Sequence, residues 1–177
     1  MLRFCAVALV VCLATPVLAQ SAAVRPSRVP GLIAQLAAPE PASRAIAACS
    51  LATLRRDALP ALTELTRLLA DATPLDPVWC DEERGVTLTA PWRSAPGVEA
   101  ARALAALGEP GVDVLLRSVS SPSTDIRRHA LRGLTSVRGD RLRDAAAADV
   151  LLRALRDSDA EVRASAARLL GRTQRGR

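Results

Sequence analysis

The chain has 177 residues, half of them hydrophobic, with 24 basic side chains against 18 acidic ones. That is enough apolar material for one domain with a sizeable core, and it excludes a charge-dominated disordered chain. Every basic residue is arginine, and the arginines are interspersed with carboxylates apart from a loose group at Arg168, Arg172, Arg175 and Arg177. The pattern reads as a solvated mixed surface of a chain rich in Arg, Ala and Pro codons, and it argues against a nucleic-acid partner.

Residues 1–19 have the layout of a cleaved signal peptide. Arg3 supplies the charge, Phe4 to Leu13 form a short apolar stretch, and Val17-Leu18-Ala19 offers the small residues a signal peptidase reads. The apolar stretch is shorter than the roughly 20 residues a membrane span needs. Gln20, not a cysteine, stands directly after the expected cut, so no lipoprotein anchor is expected, and with no second apolar stretch of spanning length no permanent membrane anchor is expected either. The sequence predicts an exported protein, periplasmic or secreted, whose domain runs over 20–177.

Within that domain the apolar spacing is helical. Gly31 to Ala38 predicts a short helix, Pro39-Glu40-Pro41 a turn, and Ala42 to Arg55 a second helix. Leu59, Leu62, Leu65, Leu68 and Leu69 lie on one face of a third helix, with Pro60 in its opening turn. The partner of this helix comes late, as Val98 to Leu107, ended by Gly108-Glu109-Pro110-Gly111. Between them, about 72–97, lies an irregular insertion. It is long for a helix–helix connection, and Pro74, Pro77, Pro91 and Pro96 forbid a continuous helix. Val86-Thr87-Leu88-Thr89 suits a short extended segment.

The rest of the chain repeats itself. Asp113-Val114-Leu115-Leu116-Arg117 returns as Asp149-Val150-Leu151-Leu152-Arg153, an offset of 36 residues. The same offset carries Ile126-Arg127 onto Val162-Arg163, Ala130 onto Ala166 and Leu134 onto Leu170. A period in this range marks stacked helical hairpins. In the last hairpin Asp157-Ser158-Asp159 breaks the first helix, Asp159 suits an N-cap, and Val162, Ala166, Leu169 and Leu170 line the second helix, which Gly171 is placed to end. A tail follows at 172–177. Ala47, Ala103, Ala130 and Ala166 are small enough for the second helices to pack closely.

The unit Leu155-x-Asp157-x-Asp159-x-x-Val162-Arg163-x-x-Ala166-Ala167-x-x-Leu170-Gly171 resembles the HEAT repeat, and more closely the short HEAT-like repeats also found in phycobilisome-lyase-type proteins. The resemblance implies an all-α solenoid of about four hairpins that acts as a scaffold or adaptor. Its expected concave face, made by the second helices, suits a protein or peptide partner.

Two cysteines remain after the expected cleavage, Cys49 and Cys80, and an oxidising compartment favours their pairing. The bridge would tie the insertion to the first hairpin. Lone thiols fit less well. So does a metal site, since zinc wants four ligands and the only histidine, His129, is distant. Asp76, Asp81, Glu82 and Glu83 lack the spacing of a calcium loop. No metal and no cofactor are therefore expected.

Arg44, Arg127 and Arg163 occupy equivalent places at the start of second helices. They form either a ladder offered to an acidic partner or, the reading adopted, a structural ladder paired with turn carboxylates such as Asp125, Asp157 or Asp159. Arg102 and Arg128 are the freer candidates for partner contact. Trp79 and Trp92 are the only aromatic residues after the leader. They either pack the insertion down or present it to a partner.

No nucleophile–base pair, His-Glu-x-x-His motif or phosphate loop occurs, so no catalytic residue is assigned. The alternative is an enzyme or a lyase-like accessory subunit with a pocket beneath the insertion. A third possibility is a module whose Leu169-Leu170 end stacks on another chain.

Overall fold

The structure is a computed structural model that describes residues 28–75, 94–137, 142 and 144–174. Eight α-helices form among them: α1 (Val29–Gln35), α2 (Pro41–Leu54), α3 (Leu62–Leu68), α4 (Pro96–Ala106), α5 (Glu109–Ser118), α6 (Thr124–Leu134), α7 (Ala145–Ala154) and α8 (Ala160–Gln174). They pair as four antiparallel hairpins, α1/α2, α3/α4, α5/α6 and α7/α8, an all-α solenoid. The second helix of each hairpin stacks on that of the next, α2 on α4, α4 on α6 and α6 on α8.

The helix starts follow from local chemistry. Proline opens α2, α4 and α5, where a missing N–H costs nothing. Ser123 caps α6 through Ile126 N, Asp144 caps α7 through Ala147 N at 2.7 Å, and Asp159 Oδ1 accepts from Glu161 N and Val162 N at 3.1 and 3.0 Å.

The first helix lies at Val29–Gln35 instead of Gly31 to Ala38, and three further boundaries depart from the sequence reading. The approach to α3 is a 3-10 helix, Arg55–Ala61, and the α-helix begins only at Leu62. Pro60 has no N–H to give and stands inside that tighter segment. Second, α4 starts at Pro96, so the insertion closes two residues earlier than expected. Its two ends are held together by Leu75 N donating to Ser94 O at 2.8 Å. Third, Gly171 does not end α8, which runs on to Gln174. Among the described glycines only Gly108 has a positive φ, 85°, and that one does terminate the α4 hairpin. The extended α8 end is held by Arg172 Nη1 donating to Thr135 O at 2.7 Å. The expected segment Val86–Thr89 lies outside the described residues.

The core is a continuous seam of leucine and alanine. Leu51, Leu65, Leu69, Leu104, Leu107, Leu115, Leu131, Leu134 and Leu151 are sealed from solvent, and Ala47, Ala100, Ala103, Ala130 and Ala166 sit between them at the helix crossings. Close approach is strict at Gly133, where a Cβ would stand 2.7 Å from Ala101 O and 2.9 Å from Ala101 Cβ. No helix among the described residues is long and apolar enough to cross a membrane.

Candidate functional site

Arg44, Arg127 and Arg163 make the same bonds to their own hairpin turns, and the first two also meet a carboxylate, whereas Arg163 has no ion pair among the described residues. Arg44 Nη1 donates to Ala38 O and Pro39 O, six and five residues back, both at 2.8 Å. Arg127 Nη1 does the same to Ser121 O and Pro122 O at 3.1 Å, and Arg163 Nη1 to Asp157 O and Ser158 O at 2.8 Å. Each guanidinium thus clamps its own hairpin turn. The remaining nitrogens of Arg44 and Arg127 reach into the next hairpin. Arg44 Nε meets Asp71 Oδ2 at 2.7 Å, and Arg127 holds Asp157 in a two-pronged pair at 2.8 and 2.9 Å. Both pairs are largely buried, the four side chains being 11–17% exposed. The lock therefore joins the first hairpin to the second and the third to the fourth.

These contacts set the carboxylate acidities. Burial raises the Asp71 pKa, but hydrogen bonds from Thr73 and Arg44 outweigh it and the result is below 3.8. The Arg127 hydrogen bond lowers Asp157. The Arg128 hydrogen bond, helped by the helix-capping N–H groups, holds Asp159 down to about 2.

Arg128 is a correction to the expectation of a freer side chain. Its Nε and Nη2 grip Asp159, and Asp125 and Glu161 lie within 3.7 Å, so it belongs to the α6–α8 junction. Arg132 joins the same network through Glu161. Arg102 is also engaged, 3.3 Å from Glu99, though more than a third of its side chain stays exposed. Glu99 itself is buried. It accepts from Ser94 Oγ at 2.8 Å and lies 3.1 Å from Cys49 Sγ.

Trp79, Trp92 and Cys80 lie outside the described residues, as does the expected pocket beneath the insertion. Cys49, half-buried on α2, is the described half of the expected bridge. His129 is a strut: its Nδ1–H donates to Leu69 O at 2.9 Å across the Gly97 end of α4, where a Cβ would collide with the ring. Burial pushes its pKa below 6.5.

The sequence reading missed an open groove of about 1100 Å³ at the edge where the connections between hairpins meet. Ala52, Ala105, Ala106, Val112 and Val137 form its apolar floor, and Arg55, Arg56 and Arg102 stand over it with Asp57 and Glu109 at the rim. Arg55 and Arg56 are exposed and pair with no described residue. Arg55 is also the one described non-glycine residue with a positive φ, 52° with ψ −127°, a backbone state that costs an L-residue about 1–3 kcal/mol. Glycine would remove that cost. The signal available in the sequence was an adjacent basic pair directly after a helix, ahead of Pro60.

A stack of two-helix units locked turn to turn is an α-solenoid. Residues 98–171 match the family model for HEAT repeats, so the described α4–α8 region carries HEAT repeats. No curated protein matches the chain. Among solved structures it is similar to two engineered proteins. The first is 25% identical, with 83% of this chain and 62% of that chain covered and a TM-score of 0.49. The second is 24% identical, with 83% and 38% covered and a TM-score of 0.46. The chain thus spans less than two thirds of the length of either. It is also similar to the complex of CpcE and CpcF of phycocyanin lyase from Nostoc sp. PCC7120, at 18% identity, covering 87% of this chain and 68% of that chain with a TM-score of 0.44.

Proposed function

We propose that this chain is a non-catalytic scaffold, exported to the periplasm or beyond, that holds an extended acidic segment of a protein partner in the groove at its connection edge. HEAT repeats commonly serve protein interactions, which supports the general role. The observation that carries the finer reading is the pair Arg55 and Arg56, unpaired within the described residues, over a floor of alanine and valine. Guanidinium groups engage carboxylates in forked geometry, and an apolar floor supplies contact area for the backbone between them. The export signal read at residues 1–19 supports the compartment.

The test is peptide selection on the full oxidised chain, followed by affinity measurement with an Arg55→Ala/Arg56→Ala variant of checked helicity. Selected peptides should be acidic with interspersed apolar residues, and should bind the variant at least about tenfold more weakly, the effect of losing one charge-assisted contact. Peptides without acidic bias, or with equal affinity for both chains, would refute the groove as the contact site.

A further inference from the structure

Glu99, in the first turn of α4, is the one buried carboxylate among the described residues, 4% exposed. Its neighbours on the helix, Ala100, Ala101, Ala103 and Leu104, are buried and apolar, so the stacking of hairpins does not ask for a charge there. A carboxylate taken out of water costs several kcal/mol unless its oxygens are satisfied. Glu99 Oε1 accepts from Ser94 Oγ at 2.8 Å, and Oε2 lies 3.1 Å from Cys49 Sγ and 3.3 Å from Arg102 Nη1. Arg102 is the only cation of the set. Glu99 thus holds that guanidinium by one corner, and Arg102 lines the groove.

The corner that is held leaves the Nε–Nη2 edge, the parallel pair of N–H groups that matches a carboxylate. On Arg102 this edge has no partner among the described residues. Elsewhere in the chain the same edge is filled. Arg44 and Arg127 give Nη1 to turn carbonyls and the other edge to Asp71 and Asp157. Arg128 has the nearest arrangement: Asp125, three residues back on its own helix, lies 3.7 Å from Nη1, while Nε and Nη2 grip Asp159. Arg102 has Glu99 three residues back and the groove where Arg128 has the next turn. Arg67 makes a similar contact with Glu64, but 73% of its side chain is exposed, against 37% for Arg102, so that pair is solvated. Ala105 and Ala106 follow Arg102 one turn on, on the same face of α4, and form groove floor.

We infer, on the reading that the groove holds an acidic segment, that Arg102 is its specificity-determining residue. One carboxylate of the segment binds side-on to Nε and Nη2, and the residue beside that carboxylate packs on Ala105 and Ala106. Glu99 is the positioning residue: it fixes the guanidinium for the ligand without touching it. Arg55 and Arg56, both exposed, act as charges without a fixed geometry.

The probe is the tightest acidic peptide from the selection described above, with each Asp or Glu changed in turn to Asn or Gln. Arg102→Lys keeps the charge and loses the fork, so it should weaken binding by about tenfold or more. The loss should run through one peptide carboxylate. With that position an amide, the Arg102 and Lys chains should bind alike, whereas Arg55→Ala/Arg56→Ala should still cost affinity. Glu99→Gln leaves Arg102 its charge but not its orientation, so in that background the Arg-to-Lys difference should shrink below about threefold. The urea midpoint should not move with Arg102→Lys. A loss of binding from Arg55→Ala/Arg56→Ala with none from Arg102→Lys would overturn the inference and leave the groove standing. Indifference to all of these changes would remove the groove itself. A loss spread evenly over the peptide's carboxylates, or one as large in the Glu99→Gln chain, would overturn the fork. A lowered urea midpoint for Arg102→Lys would do so too, since it would mean that the chain itself occupies that edge.

Discussion

Truncating Arg127 to Ala removes a guanidinium that serves two hairpins at once. The change strands the Asp157 carboxylate, which is 13% exposed, and releases the carbonyls of Ser121 and Pro122. Removing one partner of a buried ion pair costs about 3–5 kcal/mol, and partial solvent access here brings the expected loss to roughly 2–4 kcal/mol. Arg163→Ala is the matched control. It deletes the same bonds to its own turn but no described ion pair, so its loss should stay near 0.5–1 kcal/mol. Urea unfolding followed by circular dichroism reads both, and at this chain length each kcal/mol moves the melting temperature by about 2–4 °C. A double cycle with Asp157→Ala should show that most of the Arg127 effect disappears when its acceptor is absent. If the Arg127 and Arg163 variants lose equal stability, the arginine is a turn clamp only and the lock between hairpins does not hold the stack.

Five further outcomes follow from the same structure. Gly133→Ala gains up to about 1 kcal/mol of helix propensity but forces α4 from α6 at a cost of roughly 1–3 kcal/mol, so its urea midpoint should fall. Arg55→Gly should add up to about 1–2 kcal/mol of stability, read as a higher urea midpoint, through relief of its backbone while weakening acidic-peptide binding, and a loss of stability would contradict the strain assigned there. Asp159, Asp157 and Asp71 have folded pKa values below 3.8, so their contributions are full above pH 4 and vanish as pH falls towards about 2, the value for Asp159. His129, lowered from 6.5, adds a loss that begins as pH drops below 6.5, and a His129→Gln chain should lack that first decline in a midpoint-versus-pH series. If Cys49 and Cys80 are bridged, closing a loop of about 30 residues contributes roughly 3–4 kcal/mol, and reductant should lower the midpoint accordingly without melting α5–α8.

How far the sequence carried these conclusions depends on the interaction involved. The hairpins were legible because a stacked repeat must bury the same stripe every 36 residues, and Leu115, Leu151, Ala130 and Ala166 do so. Arg44, Arg127 and Arg163 were legible as equivalents for the same reason. Their acceptors were less so, because Asp71 and Asp157 lie 27 and 30 residues downstream and only the stacking brings them near. Arg128 looked free because its acceptor, Asp159, also belongs to the following turn. The 3-10 course of Arg55–Ala61 and the continuation of α8 through Gly171 turn on tertiary support that periodicity does not encode. The groove was invisible for a related reason: its arginines come from the 3-10 segment after α2 and from α4, and its floor from three hairpins.

The most direct test of the scaffold account is site-specific photocrosslinking from a native extract, with envelope and soluble fractions run side by side. A photoreactive residue at Ala105, in the groove floor, is compared with one at Leu152, which is 51% exposed on the first helix of the last hairpin. The account predicts a discrete adduct with an exported protein from the Ala105 chain, lost with Arg55→Ala/Arg56→Ala and absent from the Leu152 chain. Equal adducts at both positions, or an Ala105 adduct indifferent to the arginine changes, would contradict it.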